Sequence, residues 1–346
     1  MRSWRGEPAT PPPGDPATME EVRRAAAGSA PLPPGAHRHG DEVHLEAHAH
    51  PHVAPAEDGR PVIGIVGAGA VGTVLGVALS RAGWTVGAVA SRDAGRRERF
   101  RSLVPGARAF PDAPAILDEC HLAILAVPDD ALAGVAARLR LYSGQAIIHT
   151  SGLHDADVLA PALAAGTSAG SFHPLVAFAD LDRALEALHG ATIAIEGDED
   201  LAAHLADMAE AIGGTPVRLA PGSKAAYHAA AVLSAGGVTA LLDTIREVAA
   251  AVGLDEEGAL RIYLPLVEQT IANARTMGIA PALTGPATRG DAGTIDAHLA
   301  ALAVVAPDAL PVYRALLARS VAIAQQRGAL SPEASGRLHT ALAGDR

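Results

Sequence analysis

Hydrophobic and polar positions along this chain fall into blocks whose character changes twice. From Pro61 the apolar runs are short and end in Gly or Pro. Val62–Val66 reads as a buried strand, and Val71–Ala82, closed by Gly83, as a helix. Further strands are predicted at Thr85–Ala90, His121–Val127, Gln145–Thr150, Gly170–Phe172, Thr192–Glu196 and Thr215–Leu219, with helices at Ala131–Arg140 and Leu201–Ile212. Strands alternating with helices specify a mostly parallel sheet with crossover helices. Past Pro221 the strand pattern stops, and Ser223–Val252, Glu256–Met277, Asp291–Leu302 and Pro307–Arg327 all read as helices. The expected architecture is an α/β doubly wound sheet over 61–221, then an all-α domain over 222–346.

Residues 1–60 show no apolar period and hold 10 of the 25 Pro. They read as a disordered Pro/His-rich tail, with a short helix near Glu20–Ala27 and Met19 as a candidate start. Six of the 15 His lie between His37 and His52. Such a tract can hold divalent metal loosely, but no ordered metal site is expected.

Composition narrows the function classes. The formal charge is −11 and aromatics are 3%. Both disfavour nucleic acid, and the charge also opposes anionic lipid. The single Cys120 excludes an intramolecular disulfide and any Cys-pair zinc site, and fits a reducing, cytoplasmic setting. No apolar run reaches about 18 residues without Gly or charge, so no membrane span is expected.

Gly67-Ala68-Gly69-Ala70-Val71-Gly72 is G-x-G-x-x-G, placed after a strand and opening a helix. That context turns a weak motif into the dinucleotide loop of a Rossmann domain: a tight turn, a close backbone approach and close helix packing. The second strand ends in Ser91-Arg92, with Arg96 and Arg97 following, where an NAD site usually has a carboxylate; Asp93 falls one or two positions late. Hydroxyl and guanidinium suit a 2′-phosphate, so NADP is expected over NAD. Val127 and Pro128, ending another strand, are expected to floor the ribose and nicotinamide, with Thr150 and Ser151 as further cofactor contacts.

Three more patches are rich in polar, Gly or Pro residues: His149–Gly152, Ser171–Pro174 and Thr284–Asp291. Each also reads as turn chemistry, with Asp291 as a helix N-cap. Of the 27 basic residues, 26 are Arg and one is Lys224, a pointer to a place where guanidinium cannot replace an amine. On a helix Lys224, Tyr227 and His228 share a face. Lys224, His228 and His173 are the expected catalytic residues, with Lys224 protonating the product oxygen. Ser151, His173, Tyr227, Thr284, Arg289 and Asp291 are the expected substrate contacts.

The motifs GAGAVG (67–72), AVPDD (126–130), HTSG (149–152), SFHPL (171–175), SKAAYHAAAV (223–232) and ALTGPATRGD (282–291) resemble a bacterial group within the 6-phosphogluconate-dehydrogenase-like superfamily. Its members pair a Rossmann-like domain with a helical C-terminal domain of unknown function. The resemblance spans about 61–340 and implies a cofactor-dependent oxidoreductase. Some members look like ketopantoate reductases, which implies an NADP-dependent hydride transfer to a small 2-oxo acid in pantothenate synthesis. Superfamily relatives place a Lys where Lys224 stands, followed four residues on by Asn; here that residue is His228. Relatives in the group also carry Asn where this chain has Gly236-Gly237. The alternatives are a prephenate-dehydrogenase-like or pyrroline-carboxylate-reductase-like enzyme, and a non-catalytic NADP(H) sensor. A small carboxylate and a second copy of the chain are the expected partners.

Overall fold

The computed structural model describes residues 37–39, 42–44, 53, 56, 58–164, 166–220 and 222–343. The helix expected at Glu20–Ala27 and most of the histidine tract lie outside these residues. The chain divides into two compact units, one ending at Ala231 and one starting at Val232. Within the stretch expected to be a disordered tail, β1 (His37–His39) pairs antiparallel with β2 (Glu42–His44).

The rest of the first unit is built on eight strands: β3 (Ile63–Val66), β4 (Val86–Ala90), β5 (Arg108–Phe110), β6 (Leu122–Leu125), β7 (Ala146–His149), β8 (Ser168–Pro174), β9 (Thr192–Glu196) and β10 (Thr215–Arg218). They lie in the order β10-β9-β8-β7-β6-β3-β4-β5. Every pairing is parallel except that of β8 with β9. The chain runs outward from β3 through β4 to β5, then returns to the other side of β3 with β6. That reversal makes the carboxyl ends of β3 and β6 a topological switch point, where ligands bind in such sheets.

Every residue of β3, β6 and β7 is buried, because both faces of the sheet are covered. Helices α1 (Ala70–Arg81), α2 (Ala94–Leu103), α3 (Asp129–Ala136), α4 (Leu181–Leu188) and α5 (Glu199–Ala211) supply most of that cover. On one face Leu75, Leu79, Phe100, Leu188 and Leu205 pack with Ile63, Ile65, Ile124 and Ile148. On the other, Ile116, Leu132, Leu139 and Leu159 pack with Val66, Leu125 and Ile147. Two connections are tighter than the expected crossover helices. Ala113–Glu119 and Ala156–Ala162 are 3₁₀ turns, each containing a proline. The hydrophobic pattern also does not show β5, a three-residue edge strand with no buried side chain.

A single helical run links the units. α6 (Lys224–Val232) passes through a π turn at Leu233–Gly237 into α7 (Val238–Ala250). The second unit continues with α8 (Glu256–Met277), α9 (Ile279–Ala282), α10 (Pro286–Arg289), α11 (Ala292–Val305), α12 (Leu310–Gln326) and α13 (Pro332–Ala343). Its main core gathers Ile295, Leu299, Leu317, Val321 and Leu338. Outside that core Leu233, Leu266, Ile279 and Val304 are exposed. Gly236-Gly237 interrupts the apolar run, but the helix expected over Ser223–Val252 continues through it as a π turn. By length and composition alone, Lys224–Ala250 is long and apolar enough to cross a membrane, an 18-residue stretch of it having mean hydropathy 1.4.

Candidate nucleotide groove and a buried lysine anchor

The glycine loop joins β3 to α1. Gly67 sits at φ +107°, where a side chain is strained, and a Cβ there would lie 2.1 Å from the Ala126 carbonyl oxygen. A Cβ on Gly72 would lie 2.0 Å from the Gly67 carbonyl oxygen. These two glycines are required by the protein's own backbone. Gly69 is different, because a Cβ on it would meet nothing within 4 Å. Gly69 is also the N-cap of α1, and no side chain caps that helix end. Its first N–H groups are therefore left for a ligand, in a position that favours negative charge.

The loop lines a groove of about 640 Å³ together with Ser91, Arg92, Arg96, Val127, Pro128 and Thr150. Gly67 to Val71 of the predicted loop thus come together with five of the predicted flanking residues. Asp112 and Arg138 line the same groove and were not singled out in the sequence. Arg138 follows α3 in a helical turn that carries no motif, so only the fold brings it there.

Asp93 is a helix cap. Its carboxylate N-caps α2, accepting the Arg96 backbone N–H at 3.0 Å, and that bond holds its pKa low. Arg97 is also committed, donating to the Ser91 carbonyl at 2.5 Å. Arg92 and Arg96 remain exposed at the groove.

Lys224 is buried and paired. Its side chain is 1% exposed and points into the unit. Nζ donates to Ser171 Oγ at 2.8 Å and to Glu196 Oε2 at 3.0 Å, and Ser171 Oγ itself donates to Glu196 Oε2 at 2.6 Å. Strand register explains the site. His149, Ser171 and Glu196 stand side by side across β7, β8 and β9, and Lys224 on α6 reaches that row. Burial lowers the lysine pKa, and Glu196 opposes the shift. An ammonium held by a serine and a carboxylate of its own chain ties α6 to the sheet. The expected role of Lys224, protonating the product oxygen, would have to be played from within this hydrogen-bonded set. Glu196 had been read only as a strand end. The signal available was that a buried Lys needs a carboxylate.

Ser151 has likewise found a structural job. Its hydroxyl accepts the backbone N–H groups of Leu153 and His154, both at 3.1 Å. His149 accepts the Ser151 N–H at Nδ1 and meets the Asp155 carbonyl oxygen at Nε2, so both ring nitrogens of a neutral imidazole are used. Burial pushes its pKa down to about 3.

His173, Tyr227 and His228 do come together. The ring centroids of His173 lie 5.7 Å from those of Tyr227 and His228, each pair edge-on. In the second unit Thr284 and Arg289 are exposed. Asp291 caps α11, accepting the Thr294 N–H at 3.1 Å and the Thr294 hydroxyl at 2.7 Å.

Comparison with known proteins agrees with this layout. Residues 49–174 match the Rossmann-like domain family, and residues 191–320 match DUF2520, a domain of unknown function. The chain pairs a Rossmann-like domain with a DUF2520 domain. No curated protein matches it in sequence. Among solved structures, a candidate NADP oxidoreductase from Bacteroides fragilis is similar at 24% identity and TM-score 0.61, over 75% of this chain and 96% of that one. A Thermotoga maritima protein is similar at 24% identity and TM-score 0.60, over 77% and 99%. A 1-pyrroline-5-carboxylate reductase from Streptococcus pyogenes follows at 17% identity and TM-score 0.53, over 77% and 98%. At these identities the likeness establishes the fold.

Proposed function

We propose that this protein is an NADP-dependent oxidoreductase that reduces a small 2-oxo acid, with ketopantoate the first substrate to test. The observation that carries the reading is Gly69. The chain's own packing does not require glycine there, whereas close approach of a pyrophosphate does. The uncapped start of α1 offers N–H donors to that pyrophosphate. Ser91, Arg92 and Arg96 would hold a 2′-phosphate, since they line the groove with Asp112 as its one acidic lining residue among those described and Asp93 is engaged at the α2 N-cap. Val127, Pro128 and Thr150 would wall the ribose and nicotinamide. When bound, the reduced nicotinamide supplies a hydride; the substrate carbon takes it and the oxygen takes a proton.

Calorimetry with NADPH and NADH, then NADPH absorbance with ketopantoate, tests the reading. NADPH should bind at least about 10-fold more tightly than NADH, and Arg92→Ala should erase most of that preference. Absence of binding by either nucleotide would overturn it. Reduction of a C=N bond is the second reading, supported by the shared fold with pyrroline-5-carboxylate reductase. A panel of oxo acids and cyclic imines separates the two. We also propose that two copies associate through the apolar side chains exposed on the second unit, among them Leu233, Leu266 and Val304. A monomer in sedimentation at micromolar concentration would reject that.

A further inference from the structure

Of five buried side-chain polar atoms without a partner among the described residues, three belong to one cluster: His173 Nδ1, Tyr227 Oη and His228 Nδ1. A buried donor or acceptor without a partner is unfavourable, so three together mark a place where a polar group is missing. The two histidines of the cluster pack on Gly152. A Cβ on that residue would lie 2.4 Å from His228 Nδ1 and 2.7 Å from His173 Nε2. Both rings therefore crowd the bare α-carbon of Gly152. Gly152 is two residues past Thr150, which lines the nucleotide groove, so one short loop at the carboxyl end of β7 joins the two places.

Charge selects what fits. Lys224 is balanced by Glu196, and the other charges acting on it are the carboxylates of Asp155 and Asp129. Lys224 thus reaches the cluster already paired with a carboxylate. His173 is held neutral by burial, its pKa pushed down to about 4, with His228 and Lys224 adding to the shift. Burial also keeps the Tyr227 phenol protonated. A neutral imidazole at His173 and a protonated phenol at Tyr227 suit an uncharged acceptor.

We propose that His173, Tyr227 and His228, the two histidines packed on Gly152, bind an uncharged carbonyl or imine group of a small molecule. That this group is the one reduced rests on the oxidoreductase reading above; the binding itself does not. His173 then serves the reducible end of the substrate rather than its carboxylate. Lys224, Ser171 and Glu196 are positioning residues, fixing the start of α6 so that its next turn carries Tyr227 and His228 to the cluster.

Imidazole nitrogen NMR of the full chain, with histidine labelled, tests this directly. The probes are cyclopentanone, a neutral ketone, and acetate, each with and without NADP⁺. Cyclopentanone should shift the His173 and His228 signals saturably, and acetate should shift neither. Gly152→Ala should abolish the response while NADP⁺ affinity stays within about 2-fold, since the loop glycines are untouched. Should that variant fold poorly, Tyr227→Phe removes one oxygen and keeps the ring; it should weaken cyclopentanone about 5–10-fold. Rings indifferent to cyclopentanone, or responsive to acetate alone, would overturn the proposal, as would a Gly152→Ala protein that responds like the wild type. Cyclopentanone binding without NADP⁺ binding would leave the site standing and remove the oxidoreductase reading.

Discussion

The glycine loop and the Lys224 anchor both lie in the first unit and solve opposite problems. The loop works by what it lacks. Gly67 and Gly72 omit side chains that would strike Ala126 O and Gly67 O, and Gly69 leaves a helix end open. Its donors are backbone groups contiguous in sequence. The anchor works by what three separated elements bring. Ser171 comes from β8, Glu196 from β9 and Lys224 from α6, and they form a closed hydrogen-bonded set. A backbone site can be read from one short motif. A side-chain site assembled over more than fifty residues of sequence cannot.

Gly72→Ala breaks the comparison hardest. Its Cβ would have to sit 2.0 Å from Gly67 O, with backbone on both sides and nothing flexible to yield. We expect loss of about 3 kcal/mol or more in urea unfolding and loss of NADPH binding in calorimetry. A variant of unchanged stability would show that the loop is looser than its geometry.

Lys224→Met tests the anchor. It removes the lysine's bonds to Glu196 and Ser171, and strands a carboxylate that is 18% exposed. The expected cost is about 3 kcal/mol, at the lower end for a broken buried pair because Glu196 reaches solvent. The double variant Lys224→Met, Glu196→Gln should recover a large part of it. Additive losses in this cycle would mean the two groups are not coupled. NADPH affinity should stay close to wild type throughout, which separates anchor from loop.

The third test concerns pH, where the effect per pH unit is the smallest of the three. His149 is neutral in the folded protein, with a pKa lowered to about 3 from 6.5. Below about pH 6.5 the unfolded chain takes up a proton that the folded one refuses, so stability falls with falling pH until the folded value is reached. The slope is at most about 1.4 kcal/mol per pH unit for this residue. His149→Gln should flatten the curve between pH 6.5 and 4. An unchanged slope would assign the acid sensitivity elsewhere, with His173, lowered to about 4, the next group to test.

Much of the fold was legible because it is local. Val62–Val66 and His121–Val127 are runs too apolar to be anything but buried, and β3 and β6 fall inside them. The helices at Glu256–Met277, Ala292–Val305 and Leu310–Gln326 were also visible locally, whereas the last, Pro332–Ala343, was not expected. What escaped had weak patterns: β5 is an edge strand without buried residues, and two crossovers containing proline tightened into 3₁₀ turns. In the groove, Arg92 and Pro128 were expected from their place after strands, while Arg138 and Asp112 carried no signal.

Lys224 shows where the limit lies. Being the single lysine marked it as unusual, and its helical spacing to Tyr227 and His228 was correct. Its destination was not legible, because that depends on which residue of β8 stands beside which residue of β9. By itself the sequence determined the turn, the helix start and the alternation of buried strands, all set by interactions between near neighbours. Tertiary structure alone decided that an amine would meet a carboxylate 28 positions away and that two imidazoles would converge on Gly152. Those contacts exist only once strand order and register have been chosen.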